Sequence, residues 1–468
     1  MNEITKIIDL SRPASDVITD LKKKSVNVPE WEKLLNEYEP TKHKITTDQT
    51  SRKDKIRTNG EVETASRIYI GLEQLLTKRM TEFMFSIPVK RVYHNTEGHD
   101  VRQQIAKAIE AIYKYARINP ENLRRGINYF ASCEVATVWY SVESPNTFYG
   151  FNSKYKMKCK TYSPMDGVKL YPLIDELGDM LAMSFEYTKK VGDENITFFD
   201  TYTDTKRYQW RTDSTKWELV KEEDISIKKI PCVYVNRPVP IYHGLSYIRQ
   251  EIEYTLSRNS DVIAYNSAPI LMVSGALKGG EDKGESRRVY RVESGGSVSY
   301  VSWAQSIEAL KYHVETLTKL FWSQSQMPDI SFDNMAALGN IGFDARQTLL
   351  TDAHLKVGDE SGAWIEALER ECSVIKAFLK EMKNEWASEI DNVEVEHIIT
   401  PFIQNDETAT ADRIYKLNGN KPIISQLESI QMAGYSNNAQ ATLEQIRRET
   451  AEESEANVVG MFNEEATR

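Results

Sequence analysis

A chain of 468 residues, 40% hydrophobic and 27% charged, has the make-up of ordinary globular protein and room for roughly two to four domain-sized units. Its formal net charge of −10 argues against a main task of gripping nucleic acid, because that affinity comes mostly from Lys and Arg set against phosphates. Cys133, Cys159, Cys232 and Cys372 form no CxxC pair, so neither a zinc ribbon nor a disulfide framework is indicated, and no apolar stretch approaches the ~20 residues of a membrane span.

The N-terminus, MNEITKIIDL, has no basic region followed by an apolar run, so a standard export signal is not expected. The polar, lysine-rich residues that follow, to about 56, are expected to form a loosely attached arm. It holds one short helix in VPEWEKLLNEYEP, where Pro29 suits a first turn and Trp31, Leu34, Leu35 and Tyr38 share one side. From Glu61 to Phe85 the residues Ala65, Ile68, Leu72, Leu75, Leu76, Met80 and Phe83 recur at helical steps, which predicts a half-buried helix. A second helix is predicted from Asp100 to Arg117, and a third from Asn119-Pro120, a cap followed by proline at the first helical position.

After Glu134 the texture changes to short β-rich runs (VATVWYSV, KCKTYS, LAMSFEYTKK, ITFFDTYT, RYQWRT, KWELV, IPCVYV), which predict an antiparallel sheet region ending near Pro240. Ser246 to Asn266 reads as a helix with Ile248, Ile252, Leu256 and Val262 or Ile263 on one face. Three strand-like pieces follow, PILMVSG, SRRVYRVES and SVSYVSW, separated by a glycine-rich flexible tip, LKGGEDKGE, and the turn Gly295-Gly296. A helix from about Ala304 to Gln326 carries Ile307, Leu310, Val314, Leu317 and Phe321 as its stripe. Beyond Asp344 a long helical region reaches about Trp386, with a kink or break expected at Gly358 and Gly362. A short strand, VEVEHIITPF, precedes a terminal helical cluster in which Ser425 to Glu428, SQLE, is a capping box.

No catalytic constellation, metal site or cofactor motif stands out. SGALKGGEDKGES lacks the Gly-Lys-Ser/Thr end of a phosphate loop, and GLSYI at Gly244 lacks the second glycine of a nucleophile elbow. His94 and His99 are five apart around Gly98, a spacing that suits a surface loop better than a metal site. Trp139, Tyr140, Trp210 and Trp217 have no interleaved Lys or Arg and are assigned to core and subunit contacts. What remains is the architecture, a helix, a small β module and a second helix. Two helices of about 30 Å hold too little core to stand alone, so neighbouring copies are expected to cover them in a closed ring.

At this point the order of segments resembles the portal proteins of tailed double-stranded DNA bacteriophages, the type found in long-tailed phages of Gram-positive hosts. RTNGEVETASRIYIGLEQLLTKRMTEFMFSIPVKR is similar to the family's early helix leading into a proline, and IPCVYVNRP, SRNSDV and APILMVSG resemble its passage from wing to stem to clip. WSQSQMPDISFDNMAALGNIGFDARQTLL resembles its tunnel loop, and FIQNDETATADRIYKLNGNKPIISQLESIQMAGYSNNAQATLEQIRRE its closing helical pattern. Two departures stand out: Ile341-Gly342-Phe343 where many members have Ser-Gly, and no Lys from Phe321 through Leu355.

The resemblance implies an α+β portal fold with a mixed β-rich wing, a two-helix stem, a small β clip, a long bent helix and a helical crown. It divides the chain into an N-terminal arm (1–56), wing (57–244), stem helix (245–266), clip (267–303), stem helix (304–326), tunnel loop (327–343), long bent helix with return to the wing (344–399) and crown (400–468). It implies a structural virion protein, made in the host cytoplasm, that forms a ring, usually of twelve copies, at the portal vertex of the capsid. Double-stranded DNA is packaged and ejected through such a ring. The implied partners are further copies of the chain, the terminase large subunit, a head-tail adaptor, and the major capsid and scaffold proteins; no membrane and no catalysis are implied.

Phe332, Asn334, Met335, Leu338, Gly339, Asn340 and Gly342 are the expected channel loop, where Asp344 and Gln347 suggest a capping box for the next helix. Lys278, Glu281, Asp282, Lys283, Arg287 and Arg288 are the expected partner-docking residues of the clip. Pro328 and Asp329 are expected to stop the incoming helix. The alternatives are another oligomeric head protein, an adaptor or minor capsid protein, and a phage nucleic-acid-processing enzyme built from dispersed carboxylates.

Overall fold

Helical spacing of apolar residues builds the first layer. In the computed structural model, helices α1 (Ala14–Lys23), α2 (Trp31–Tyr38) and α3 (Leu72–Phe85) precede strand β1 (Lys90–His94) and helices α4 (Asp100–Tyr115) and α5 (Ile118–Ser132). The structure describes residues 7–465 except 57, 213–215, 267–269, 276, 283–287, 293–295, 302–306, 331–347, 349, 403–406, 420–421, 435 and 437–438. Two compact units are present, Met1–Ser331 with Leu350–Phe402, and Phe332–Leu349 with Ile403–Arg468.

The β-rich runs resolve into two antiparallel sheets. Strands β2 (Glu134–Asn146) and β3 (Ser153–Tyr162) pair with each other, and β4 (Lys169–Ile174), β5 (Met180–Val191), β6 (Glu194–Tyr202), β7 (Lys206–Thr212) and β8 (Glu218–Asp224) form a five-stranded meander. β9 (Cys232–Asn236) returns to pair with β2, giving the order β9-β2-β3. Inward residues from both sheets, among them Ala136, Val138, Leu170, Met183, Phe185 and Cys232, make one cluster. The opposite face of β2 and β3 puts Trp139 and Met157 against Ile105, Ile109 and Ile112 of α4. Trp139 and Trp210 are fully buried, as expected of core residues.

The first unit continues with α6 (Ser246–Asn266), then β10 (Ile270–Ser274), β11 (Leu277–Asp282), β12 (Arg288–Val292) and β13 (Ser297–Val301), then α7 (Ile307–Ser325), α8 (Thr351–Met382) and β14 (Glu394–Ile398). β10 pairs with β13 and β11 with β12, so the module is one hairpin nested in another; Leu277–Asp282 is a strand here, not the flexible tip expected from its glycines. β14 pairs with β1. The largest core cluster joins α3, α5, the start of α6, the end of α7 and α8 through Met80, Phe85, Phe130, Tyr242, Phe321, Trp322 and Trp364. Each such aromatic side chain, fully buried, stabilises the fold by about 2–3 kcal/mol relative to exposure.

Three further expectations are corrected. α8 runs unbroken for 32 residues through Gly358 and Gly362; a Cβ at either would meet nothing within 4 Å, and packing on both flanks outweighs a propensity cost of about 1 kcal/mol per glycine. α5 begins at Ile118 after a left-handed Arg117, without a side-chain cap from Asn119. The N-terminal residues are packed instead of loosely attached: Ile7, Ile8, Val17, Ile18 and Leu21 are buried against Leu173, Ala182, Phe199 and Trp210 of the meander. Where the layers meet, Arg125 Nη2 donates to Glu371 Oε1 at 2.6 Å and Trp139 Nε1 donates to the same oxygen at 2.9 Å.

The second unit, among the described residues, contains α9 (Glu407–Asn418), α10 (Gln426–Ala433) and α11 (Ala439–Glu465), with α10 packed on both of the others. The capping box at α10 is present as predicted: Glu428 N donates to Ser425 Oγ at 3.1 Å, and Ser425 N donates to Glu428 Oε2 at 2.7 Å.

Candidate functional site

The two helices expected to form a stem, α6 and α7, lie side by side, with His313 Nε2 3.9 Å from Glu251 Oε1. Its apolar residues are poorly covered in one copy. Val314 and Leu317 are half-buried, while Tyr247, Ile263, Tyr312 and Leu320 are exposed; only at the base do Ile252 and Phe321 become fully buried.

Beyond the apolar contact of Ile248 with the main core, what fixes α6 to the body is polar. Arg249, Glu253, Ser257 and Asp261 are four residues apart, so they form one row along the helix. Arg249 Nε donates to Glu73 Oε1 at 2.8 Å and its Nη1 to Glu253 Oε2 at 2.8 Å; Glu253 Oε1 lies 2.6 Å from His43 Nδ1 and accepts from Ile70 N at 3.0 Å. Ser257 Oγ accepts from Ile68 N at 2.9 Å, and Asp261 accepts from Ser66 N at 2.8 Å and from Arg52 Nη2 at 2.6 Å. Alternate amides of the 66–70 segment thus meet successive turns of the helix. The spacings match, because two residues of extended chain advance about 6.6 Å and four helical residues about 6 Å. This is why α3 begins at Leu72 and not near Glu61: the preceding residues are drawn straight to serve α6. Burial works to raise the Asp261 carboxyl, but the hydrogen bonds from Ser66 and Arg52 outweigh it and hold it below its usual range. Glu73, more deeply buried, is pushed up by desolvation even beside Arg249.

At the far end of α7 the chain turns into the expected channel loop. The helix stops at Ser325, before Pro328 and Asp329. Gln326 takes a left-handed φ of 55°, its N–H donating to Ser323 O at 3.1 Å while Met327 N donates to Trp322 O at 3.3 Å, the paired bonds of a Schellman cap. Met327 is buried at the turn. The Arg79 guanidinium stacks 4.3 Å from the Trp322 ring, donates to Pro328 O at 3.2 Å and lies 3.6 Å from Asp329 Oδ1. From α8, Lys356 Nζ donates to Ser325 O at 2.5 Å; its burial lowers its pKa to about 8. Two basic side chains therefore clamp the carboxyl end of α7, where the helix dipole favours positive charge.

The loop residues Phe332, Asn334, Met335, Leu338, Gly339, Asn340 and Gly342 lie outside the described residues, as do Asp344 and Gln347. Of the residues expected to form the clip's docking face, Lys278, Glu281 and Asp282 fall in β11 and Arg288 opens β12 opposite Asp282, while Lys283 and Arg287 are outside the described residues. Sequence reasoning missed the row on α6 and its partners His43, Arg52, Glu73 and Ser66. The available signal was the four-residue spacing of polar residues at 249, 253, 257 and 261. Among the described residues no group of three or more His, Cys, Asp or Glu is placed to hold a metal ion, and no helix is long and apolar enough to cross a membrane.

Solved structures similar to the chain include the neck of an empty gene transfer agent (GTA) particle computed with C6 symmetry, at 10% identity over 85% of this chain and 95% of that one, with a TM-score of 0.40. The neck of the native GTA particle computed with C12 symmetry is likewise similar, at 10% identity over 88% of this chain and 96% of that one, with a TM-score of 0.40. No curated protein matches. Residues 20–456 match the family described as "Phage portal protein, SPP1 Gp6-like". With nearly its whole length matched, this chain belongs to the SPP1 Gp6-like phage portal protein family.

Proposed function

We propose that copies of this chain close a ring, of twelve subunits, at one vertex of a phage capsid, and that double-stranded DNA passes through it during packaging and ejection. The observation that carries this reading is the uncovered stem. Two long helices expose Tyr247, Ile263, Tyr312 and Leu320 and leave Val314 and Leu317 half-buried, and neighbouring copies of the same pair would cover them. In this reading the chain performs no catalysis. The 327–343 loop, clamped at its entry by Arg79 and Lys356, forms the narrow point around the duplex. The nested hairpins β10–β13 dock the terminase on the assembling head and an adaptor on the finished one, and the capsid and scaffold proteins hold the ring in the shell. Such a channel works best with little attraction for its cargo, and a net charge of −10 per chain supplies a repelling wall.

Negative-stain imaging of the purified protein tests the reading directly. Closed rings with a central opening are expected. Monomers and dimers alone, from low to high salt and in the presence of scaffold protein, would sink it.

A further inference from the structure

Strand β3 carries a second feature that the channel does not use. It is the edge strand of the β9-β2-β3 sheet, and its residues alternate strictly: Met157 and Cys159 turn into the core with Trp139, while Lys154, Lys156, Lys158 and Lys160 lie on the other face. Three of the four are exposed and Lys156 is partly so. Their cross-strand neighbours on β2 are uncharged: Lys160 faces Val138, Lys158 faces Tyr140 and Lys156 faces Val142. Lys156 Nζ lies 5.5 Å from the centre of the Phe148 ring and Lys160 Nζ 4.7 Å from that of Tyr162. Among the described residues none of the four is within ion-pair distance of a carboxylate. In a chain with 69 acidic and 59 basic residues, four lysines in a row with no acid between them make a distinct patch.

We propose that Lys154, Lys156, Lys158 and Lys160 form a docking strip for the phosphate backbone of double-stranded DNA, separate from α6, α7 and the channel loop. Alternate residues of a strand are about 6.8 Å apart, so the four charges span about 20 Å, the rise of roughly six base pairs. A straight, evenly spaced row of flexible point charges matches a polymer of repeating charge, where a single acidic side chain would call for a converging Arg fork. Lysines on an edge strand also deter pairing with other chains, a role that needs no continuous row free of acids. Exposed Tyr140, Val142 and Phe148 flank the row, and only at its Lys160 end do acids, Glu223 and Asp224, line the same groove. Contact here is electrostatic and blind to sequence, and it does not require the ring to close.

The test is fluorescence anisotropy of a labelled 30-base-pair random duplex with the purified full chain, titrated between 50 and 200 mM NaCl. Four phosphate contacts predict a slope of log K on log salt near −3.6, which is about 150-fold weaker binding across that range. The quadruple variant K154Q/K156Q/K158Q/K160Q, checked for folding by circular dichroism, is expected to lose at least tenfold affinity at 50 mM and most of the slope. The quadruple Lys→Arg variant, which keeps the charge, is expected to retain both. An undetectable wild-type complex at 50 mM, or an unchanged slope in the Gln variant, would overturn the proposal. So would lysine-dependent binding of poly-glutamate with none of the duplex, which would assign the strip to an acidic protein. None of these results bears on ring formation, so failure here leaves the portal reading standing.

Discussion

Glu134 opens β2 with its carboxyl buried, and its Oε2 accepts a hydrogen bond from Tyr234 Oη at 2.8 Å. Burial pushes its pKa up to about 7, with the Tyr234 bond pulling the other way. A carboxyl whose pKa is higher folded than unfolded binds more protons in the folded state. Its contribution is full below the ordinary value of 4.5 and is lost as pH rises through about 7. Gln keeps an acceptor for Tyr234 and removes the charge. Glu134→Gln is therefore expected to be more stable than the parent by about 1–3 kcal/mol in urea unfolding near pH 8, with the gap closing near pH 5. A gap of the same size at both pH values would show that ionisation of Glu134 is not its source.

At the next scale, an element's end can be tuned by one torsion. Gln326 holds a left-handed φ of 55°, a conformation that costs an L side chain about 1–2 kcal/mol and a glycine nothing in sterics. After glycine's extra loss of chain freedom, Gln326→Gly is expected to stabilise the α7 terminus by about 0.5–1 kcal/mol, read as a higher urea midpoint. A lower midpoint would mean that the Gln326 side chain holds the turn through contacts of its own. The elements themselves were largely legible. Ile248, Ile252 and Leu256 marked α6 with its observed bounds, and Ser425 with Glu428 marked the start of α10. Two features were not. A left-handed Gln leaves no mark in sequence, so Pro328 was the visible stop signal though the helix ends three residues earlier. The polar row on α6 has the same period as an apolar face, and polarity alone assigns it to solvent. Its partners are backbone amides at 66, 68 and 70, which every residue but proline possesses.

For the molecule as a whole, the order of segments carried the most information, since three strand-like pieces between two helices, then a loop and a long helix, are what resembled the portal family. The N-terminal residues were the weakest reading, because the apolar residues Val17, Ile18 and Leu21 of one short helix are too few to outweigh the surrounding lysines. Their packing predicts behaviour opposite to that of a loose arm. Lys22 pairs with Glu186 at 2.7 Å, and His43 and Ile45 are fully buried. Limited trypsin digestion followed by mass spectrometry is expected to leave residues 14–52 intact despite their many lysines. First cuts at Lys22, Lys23 or Lys24 would mean that this segment opens independently of the body.

The row at 249, 253, 257 and 261 also bears on how α6 meets load. A helix seated on an apolar groove can roll or slip by a residue while trading one greasy contact for another. This one is keyed like a splined shaft: rotation by a single residue, about 100°, would pull each of the four side chains away from its partner at once. Strain from a moving duplex would then pass along α6 as torque into His43, Arg52, Glu73 and the straight chain at 66–70, and the helix would turn only with the body that holds it.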